Sequence, residues 1–180
     1  MNRHFVDTLP KRILLRMVKL SIQSSIDGHE RAAVVYGSPN GIKIMNIPFV
    51  GSEHSLEMFV PTIFPIYCHF HTHPPHVFFD DIPSLLDIIS IARLKSADRF
   101  GTFQGFCIGL GSLLNPTKVG IKCYHVADWN EFKNMAKLAL SVITQGSIIP
   151  PFSEFYDKLE KDVCVVKTVF FPHEFLRFFT

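Results

Sequence analysis

Little in this chain of 180 residues is strongly charged, repetitive or covalently stapled. The formal net charge is only +2, and the basic residues are scattered, with Lys11, Arg12, Arg16 and Lys19 as the one local cluster. So small a surplus excludes the broad electrostatic footprint of a nucleic-acid binder, and those four read as the solvated face of a helix. No Cys-x-x-Cys pair occurs. Cys68, Cys107, Cys123 and Cys164 lie far apart, three of them in strand-like apolar runs where a free thiol acts as a small hydrophobe, so reduced cysteines and a cytoplasmic protein are expected. No segment approaches the roughly 20 apolar residues of a membrane helix. No long apolar run follows the N-terminal charges, so neither a signal peptide nor a membrane partner is expected. Repeats and low-complexity segments are absent.

What is present is a globular composition: 47% hydrophobic and 19% charged residues, with 18 phenylalanines to fill a bulky core. The length fits one domain able to bury a core without staples. Ile13, Leu14, Met17, Val18 and Ser21 recur at helical spacing over 11–26, and Gly28 is a stop. Residues 32–36 read as a buried strand, and Asn40-Gly41 as a tight hairpin turn. Residues 42–49 read as the returning strand, ended or edged by Pro48. Strands are expected at 56–60 and 63–70, a helix from Ser84 to about Ala97, and strands at 102–110 and 119–126. A helix over 129–143 opens with Asp128 and Glu131 as a capping pair. Beyond Pro150-Pro151, a helical turn near 155–161 and a strand at 163–171 precede an aromatic tail, Phe175 to Phe179. The tail offers either a homodimer or partner surface or, more commonly, an apolar segment folded back on its own domain.

The chemistry concentrates in Cys68-His69-Phe70-His71-Thr72-His73-Pro74-Pro75-His76, which holds four of the nine histidines. Side chains two apart on a strand share a face, so His71 and His73, with His69 behind them, aim at one point. A third ligand must come from elsewhere. Asp87, in the first turn of the following helix, supplies a carboxylate if that helix packs beside the strand. Two nitrogens, one oxygen and an open position make a catalytic rather than a structural zinc arrangement. Each feature alone has a plainer reading. Ser84 and Asp87 at this spacing also make a helix-capping box, and a His-x-His pair on a strand is often structural. A cupin-like barrel uses His-x-His as well, though the helical spacing after Ser84 speaks against it.

Together, His71-Thr72-His73-Pro74 and Pro83-Ser84-Leu85-Leu86-Asp87 resemble the signature of the JAMM (JAB-type, MPN-plus) zinc metalloproteases. The family's early glutamate stands after a helix and before a short strand ending in glycine; Glu30, ahead of Arg31-Ala32-Ala33-Val34-Val35-Tyr36-Gly37, meets that description. The resemblance implies an MPN/JAB-like mixed α/β fold with a curved, mostly antiparallel sheet. It covers a core over 10–127; the remaining 128–180, a helix, a strand and the aromatic tail, are expected to pack on the same domain. It also implies zinc on His71, His73 and Asp87, Glu30 as general base, and Ser84 as donor to the oxyanion. The implied activity is cleavage of isopeptide or peptide bonds at the C-terminus of a ubiquitin-like or sulfur-carrier protein. A catalytically silent MPN-type scaffold is the alternative. Ten residues separate His73 from Ser84, more than the family's usual spacing, so Asp81 falls where the serine stands without the insertion and remains a rival ligand. His69 reads as packed behind the ligands. His76 and Val77-Phe78-Phe79 either grip a substrate tail or anchor their own loop.

Overall fold

A buried stripe of Ile13, Met17, Val18, Leu20 and Ser21 runs along α1 (Lys11–Asp27), with Lys11, Arg12, Arg16 and Lys19 exposed opposite, the division that the spacing predicts. The computed structural model describes residues 3–51, 60–73, 81–110, 120–146 and 152–170. The helix ends at Gly28, whose φ of 74° suits a residue without a Cβ and whose N–H reaches the Ser24 carbonyl.

After α1 come β1 (Arg31–Tyr36), β2 (Ile44–Met45), β3 (Phe49–Val50) and β4 (Ile66–Thr72), then α2 (Leu85–Ala97), β5 (Gly105–Leu110) and β6 (Gly120–Val126). The chain continues through α3 (Trp129–Gln145), α4 (Phe152–Lys158), a π-helical turn (Leu159–Val163) and β7 (Cys164–Phe170). Among the described residues the seven strands form one sheet in the order β2-β1-β4-β5-β6-β7, with β3 also on β1. Every pairing is antiparallel except β4 with β5. A parallel pair needs a crossover, and α2 provides it. The fold is thus mixed α/β around a mostly antiparallel sheet. That sheet is open, with β2 and β7 at its ends, and a cupin-like reading requires a closed barrel. Among the described residues no helix is long and apolar enough to cross a membrane.

Strand alternation sorts the core into two layers. Ala33, Val35, Cys68, Phe70, Cys107, Ile121 and Cys123 pack with α1 residues such as Met17 and Val18. Val34, Phe106, Ile108, Tyr124 and Val126 pack with Ile88 and Ile91 of α2 and Phe132 and Met135 of α3. The first layer is tight at Gly109, where a Cβ would lie 2.2 Å from Ser21 Oγ and 3.1 Å from Phe70 Cζ. His69 and His71, alternating with Cys68 and Phe70, belong to the second face, under α2.

Four sequence expectations change. The returning strand at 42–49 splits into β2 and β3. Asn46 takes over between them, its Oδ1 accepting the Val34 N–H at 2.8 Å while its own N–H donates to the Val34 carbonyl at 3.0 Å, and Pro48 has no N–H to continue a ladder. Because Tyr36 pairs with Ile44, residues 37–43 form a longer connection than a tight Asn-Gly turn. The strand expected at 63–70 runs instead from Ile66 to Thr72, which brings His71 into the ladder. The expected strand at 56–60 lies outside the described residues apart from Val60, as do His76, the phenylalanines after it and the aromatic tail.

The fourth change concerns sulfur. Cys107 and Cys123, directly opposite on β5 and β6, form a disulfide, whereas Cys68 and Cys164 are free and buried. The expectation of four free thiols is therefore corrected. Widely spaced cysteines can still meet across a ladder, which spacing along the chain does not reveal. Closing a loop of separation 16 stabilises by about 3 kcal/mol in the chain-entropy account. Thiol titration of the denatured protein is expected to count two free thiols before reduction and four after; four before reduction would contradict the bond.

Candidate metal centre

The strand that carries the histidines is fixed by its neighbour β1. Ala32 lies opposite His71 and Val34 opposite His69, and Arg31 donates its N–H to Thr72 Oγ1 at 2.9 Å. Glu30 immediately precedes β1, the strand that pairs with β4. Glu30 is half-buried, and its carbonyl accepts the Gly51 N–H at 2.9 Å. The turn leading to it is held by Asp27, which accepts from the His29 N–H at 3.0 Å and pairs with the Arg31 guanidinium. That guanidinium holds the Asp27 carboxyl well below the usual carboxylate range. Ser24 Oγ adds a bond to the His29 carbonyl at 2.7 Å.

The other half of the site comes from the start of α2. Ser84 caps the helix: its Oγ accepts the Asp87 N–H at 3.1 Å, and Asp87 Oδ2 accepts the Ser84 N–H at 2.7 Å. The plainer reading of this pair as a capping box is therefore realised. It does not exhaust Asp87. The same Oδ2 lies 3.1 Å from His73 Nε2 and 3.3 Å from His71 Nε2, and the two Nε2 atoms are 3.0 Å apart.

This triangle fits a cation better than it fits hydrogen bonds. Each Nε2 carries at most one proton, so at most two of the three edges can be hydrogen bonds, and the third sets like lone pairs or like protons against each other. A tetrahedral ion with ligands at about 2.0–2.1 Å has ligand–ligand edges of about 3.3 Å. The observed edges, 3.0 to 3.3 Å, lie close to that value. Two imidazoles and a carboxylate form a donor set suited to zinc and related divalent ions. Exposure rises across the set, from 7% for the His71 side chain through 14% for His73 to 24% for Asp87, so Asp87 is its most solvent-exposed member.

The surroundings favour neutral imidazole behind the site. The His69 ring lies 5.3 Å from that of His71, and burial first, then the charge of His71, pushes its pKa down to about 3. Nδ1 of His69 and Nδ1 of His71 are both buried without a partner, so the His71 ring is oriented by packing rather than by a bond to its far nitrogen. For Asp87, burial works to raise the carboxyl, but the charge of His71 and the bonds from both histidines outweigh it and hold it well below the usual range. It stays ionised, as a ligand must.

Among the described residues, His71, His73 and Asp87 form the one group of three such side chains with converging ligand atoms. The rival Asp81 is exposed in the turn before Pro83 and is not among them. Asp87 is carried to the histidines because the helix it opens crosses over the second face of the sheet. Ser84 sits at the rim, exposed. Sequence reasoning missed Tyr156 of α4, whose hydroxyl donates to the Pro83 carbonyl at 2.6 Å. Burial and the Asp87 charge push that phenol up to about 12. A tyrosine in a short helical turn carries no spacing signal that ties it to a loop 73 residues earlier. Comparison with protein-family models, with curated proteins and with solved structures gave no match to this chain.

Proposed function

We propose that this protein is a zinc-dependent metallo-isopeptidase or peptidase that cleaves at the C-terminus of a ubiquitin-like or sulfur-carrier protein. The observation that carries the reading is the convergence of His71 Nε2, His73 Nε2 and Asp87 Oδ2 within 3.3 Å of one another; Glu30 immediately precedes β1, the strand that pairs with β4. The resemblance to JAMM enzymes supplies the substrate class.

Zinc in this site supplies Lewis acidity, which makes water a nucleophile near neutral pH and polarises a carbonyl. Glu30 takes the proton of the attacking water and returns it to the leaving amine. Its half-buried position at the start of β1 suits a carboxylate that must exchange protons with a substrate. Ser84 stabilises the tetrahedral oxyanion. Its oxygen already accepts the Asp87 N–H, which leaves the hydroxyl proton to donate outward. Capping and catalysis therefore use different parts of one hydroxyl. The substrate tail, extended as a strand-like segment, presents its scissile carbonyl from the exposed side of Asp87.

The second reading, an MPN-type scaffold without activity, has one observation in its favour: the Ser84–Asp87 box starts α2 whether or not a metal is present. Incubation with a panel of ubiquitin-like and sulfur-carrier proteins fused at their C-termini separates the two. Cleavage after the modifier's terminal residue, abolished by chelator and restored by zinc, is expected. A zinc-loaded protein that cleaves none of the panel, yet holds a stable partner, would favour the scaffold.

A further inference from the structure

The Asp87 oxygen that faces both histidines also accepts the Ser84 N–H at 2.7 Å. That N–H belongs to the Pro83–Ser84 peptide, whose carbonyl accepts the Tyr156 hydroxyl at 2.6 Å. In a trans peptide the two groups point in opposite directions. One amide thus links a phenol in α4 to the ligand oxygen of the metal centre. Hydrogen bonds in series polarise one another, so a donor on the carbonyl strengthens the bond given by the N–H beyond it.

The link adds a directional bond to a stretch of backbone otherwise held by the buried Pro83 and by Ile82 packed against the core. Residues 81–84 belong to neither helix nor strand. Tyr124 is the other phenol at hand, with its hydroxyl 3.4 Å from the Asp81 carbonyl, but it has a single proton and Glu160 Oε1 lies nearer, at 2.9 Å. Glu160 is in turn held by Lys122 at 2.6 Å, so the Tyr124 proton is committed there. Tyr156 is itself rigidly placed. It is only 8% exposed, packs in the core with Phe155 and Leu159, and lies on a helix tied to α3 by the Lys158–Glu131 ion pair.

We propose that Tyr156 is a positioning residue for the metal centre, setting Asp87 Oδ2 against His71 and His73 through the Pro83–Ser84 peptide. This rests on the reading of those three residues as a metal site. It gives the C-terminal part of the chain a role in metal binding that no ligand of its own would supply.

The test compares the full-length wild-type protein with Tyr156→Phe, using zinc in competition with a chromophoric chelator, the visible spectrum of the cobalt(II) form, and the melting temperature of the metal-free protein. Loss of an outer partner of a ligand typically weakens metal binding about 10- to 100-fold. Tyr156→Phe is expected to fall at the lower end of that range and to change the cobalt spectrum. A lowered melting temperature with unchanged zinc affinity and an unchanged cobalt spectrum means that the hydroxyl merely holds α4, and overturns the proposal. Should Tyr156→Phe fail to fold, 3-fluorotyrosine at position 156 decides: it keeps the shape with a more acidic, stronger donor. A changed zinc affinity together with a changed cobalt spectrum supports the proposal, and both unchanged overturn it. A wild-type protein that takes up neither ion overturns the metal-centre reading itself. Tight wild-type binding that Tyr156→Phe leaves untouched overturns this inference alone.

Discussion

Glu30→Gln is expected to leave zinc bound and to lower kcat by about 10²- to 10⁴-fold, the usual worth of a positioned general base. Glutamine matches glutamate in shape and can keep hydrogen bonds at this position, but it cannot accept and return a proton at neutral pH. Glu30 is not one of the converging ligand residues, so metal content should match wild type, and the loss should appear in kcat rather than in zinc stoichiometry. Its place depends on the pinning of β1 to β4 by the Arg31 N–H on Thr72 Oγ1 and on the Asp27–Arg31 pair that ends the preceding turn, none of which the substitution touches. Turnover assays with parallel metal analysis check this. Full activity in the Gln variant would assign the base elsewhere.

His71→Ala is expected to remove zinc binding in the micromolar range. Deleting a direct ligand exceeds the roughly 10- to 100-fold cost of losing an outer partner, because two donors remain where the geometry requires three. The His71 side chain is 7% exposed, so the substitution also leaves a cavity next to Asp87, whose carboxylate then loses a partner that offsets its burial. A lower melting temperature should accompany the loss of metal. Isothermal titration with zinc measures the affinity, and circular dichroism separates loss of the site from loss of the fold. His69→Ala, by contrast, removes no ligand and should retain the metal.

Much of this arrangement can be read from local pattern. The stripe of α1 and its glycine stop, and the helix opening at Ser84, follow from spacing and capping chemistry, which act within a few residues. His71 and His73 were legible because a strand aligns alternate side chains, and Asp87 because a capping position beside a strand end brings its carboxylate to the same place. Other features depend on contacts between distant segments. The break between β2 and β3 comes from Asn46 bonding to Val34 on another strand. The Cys107–Cys123 bond needs the β5–β6 register. The ten residues between His73 and Ser84 left Asp81 and Asp87 as rivals until α2 was seen to place only Asp87 against the histidines. Tyr156 was invisible for the same reason: its partner is a backbone carbonyl, which has no signature in sequence.

The dual use of Ser84 and Asp87 also explains why their spacing alone decides little. A capping box costs nothing to a metal site here, since Asp87 Oδ2 accepts the Ser84 N–H while facing both imidazoles. The choice between a working centre and a helix start therefore rests on whether an ion fills the triangle. Elemental analysis of the full-length protein, purified without a histidine tag and without added metal, answers this most directly. One zinc per chain is predicted, removed by chelator and absent from His71→Ala. No zinc, or zinc retained in His71→Ala at the wild-type level, would contradict the account.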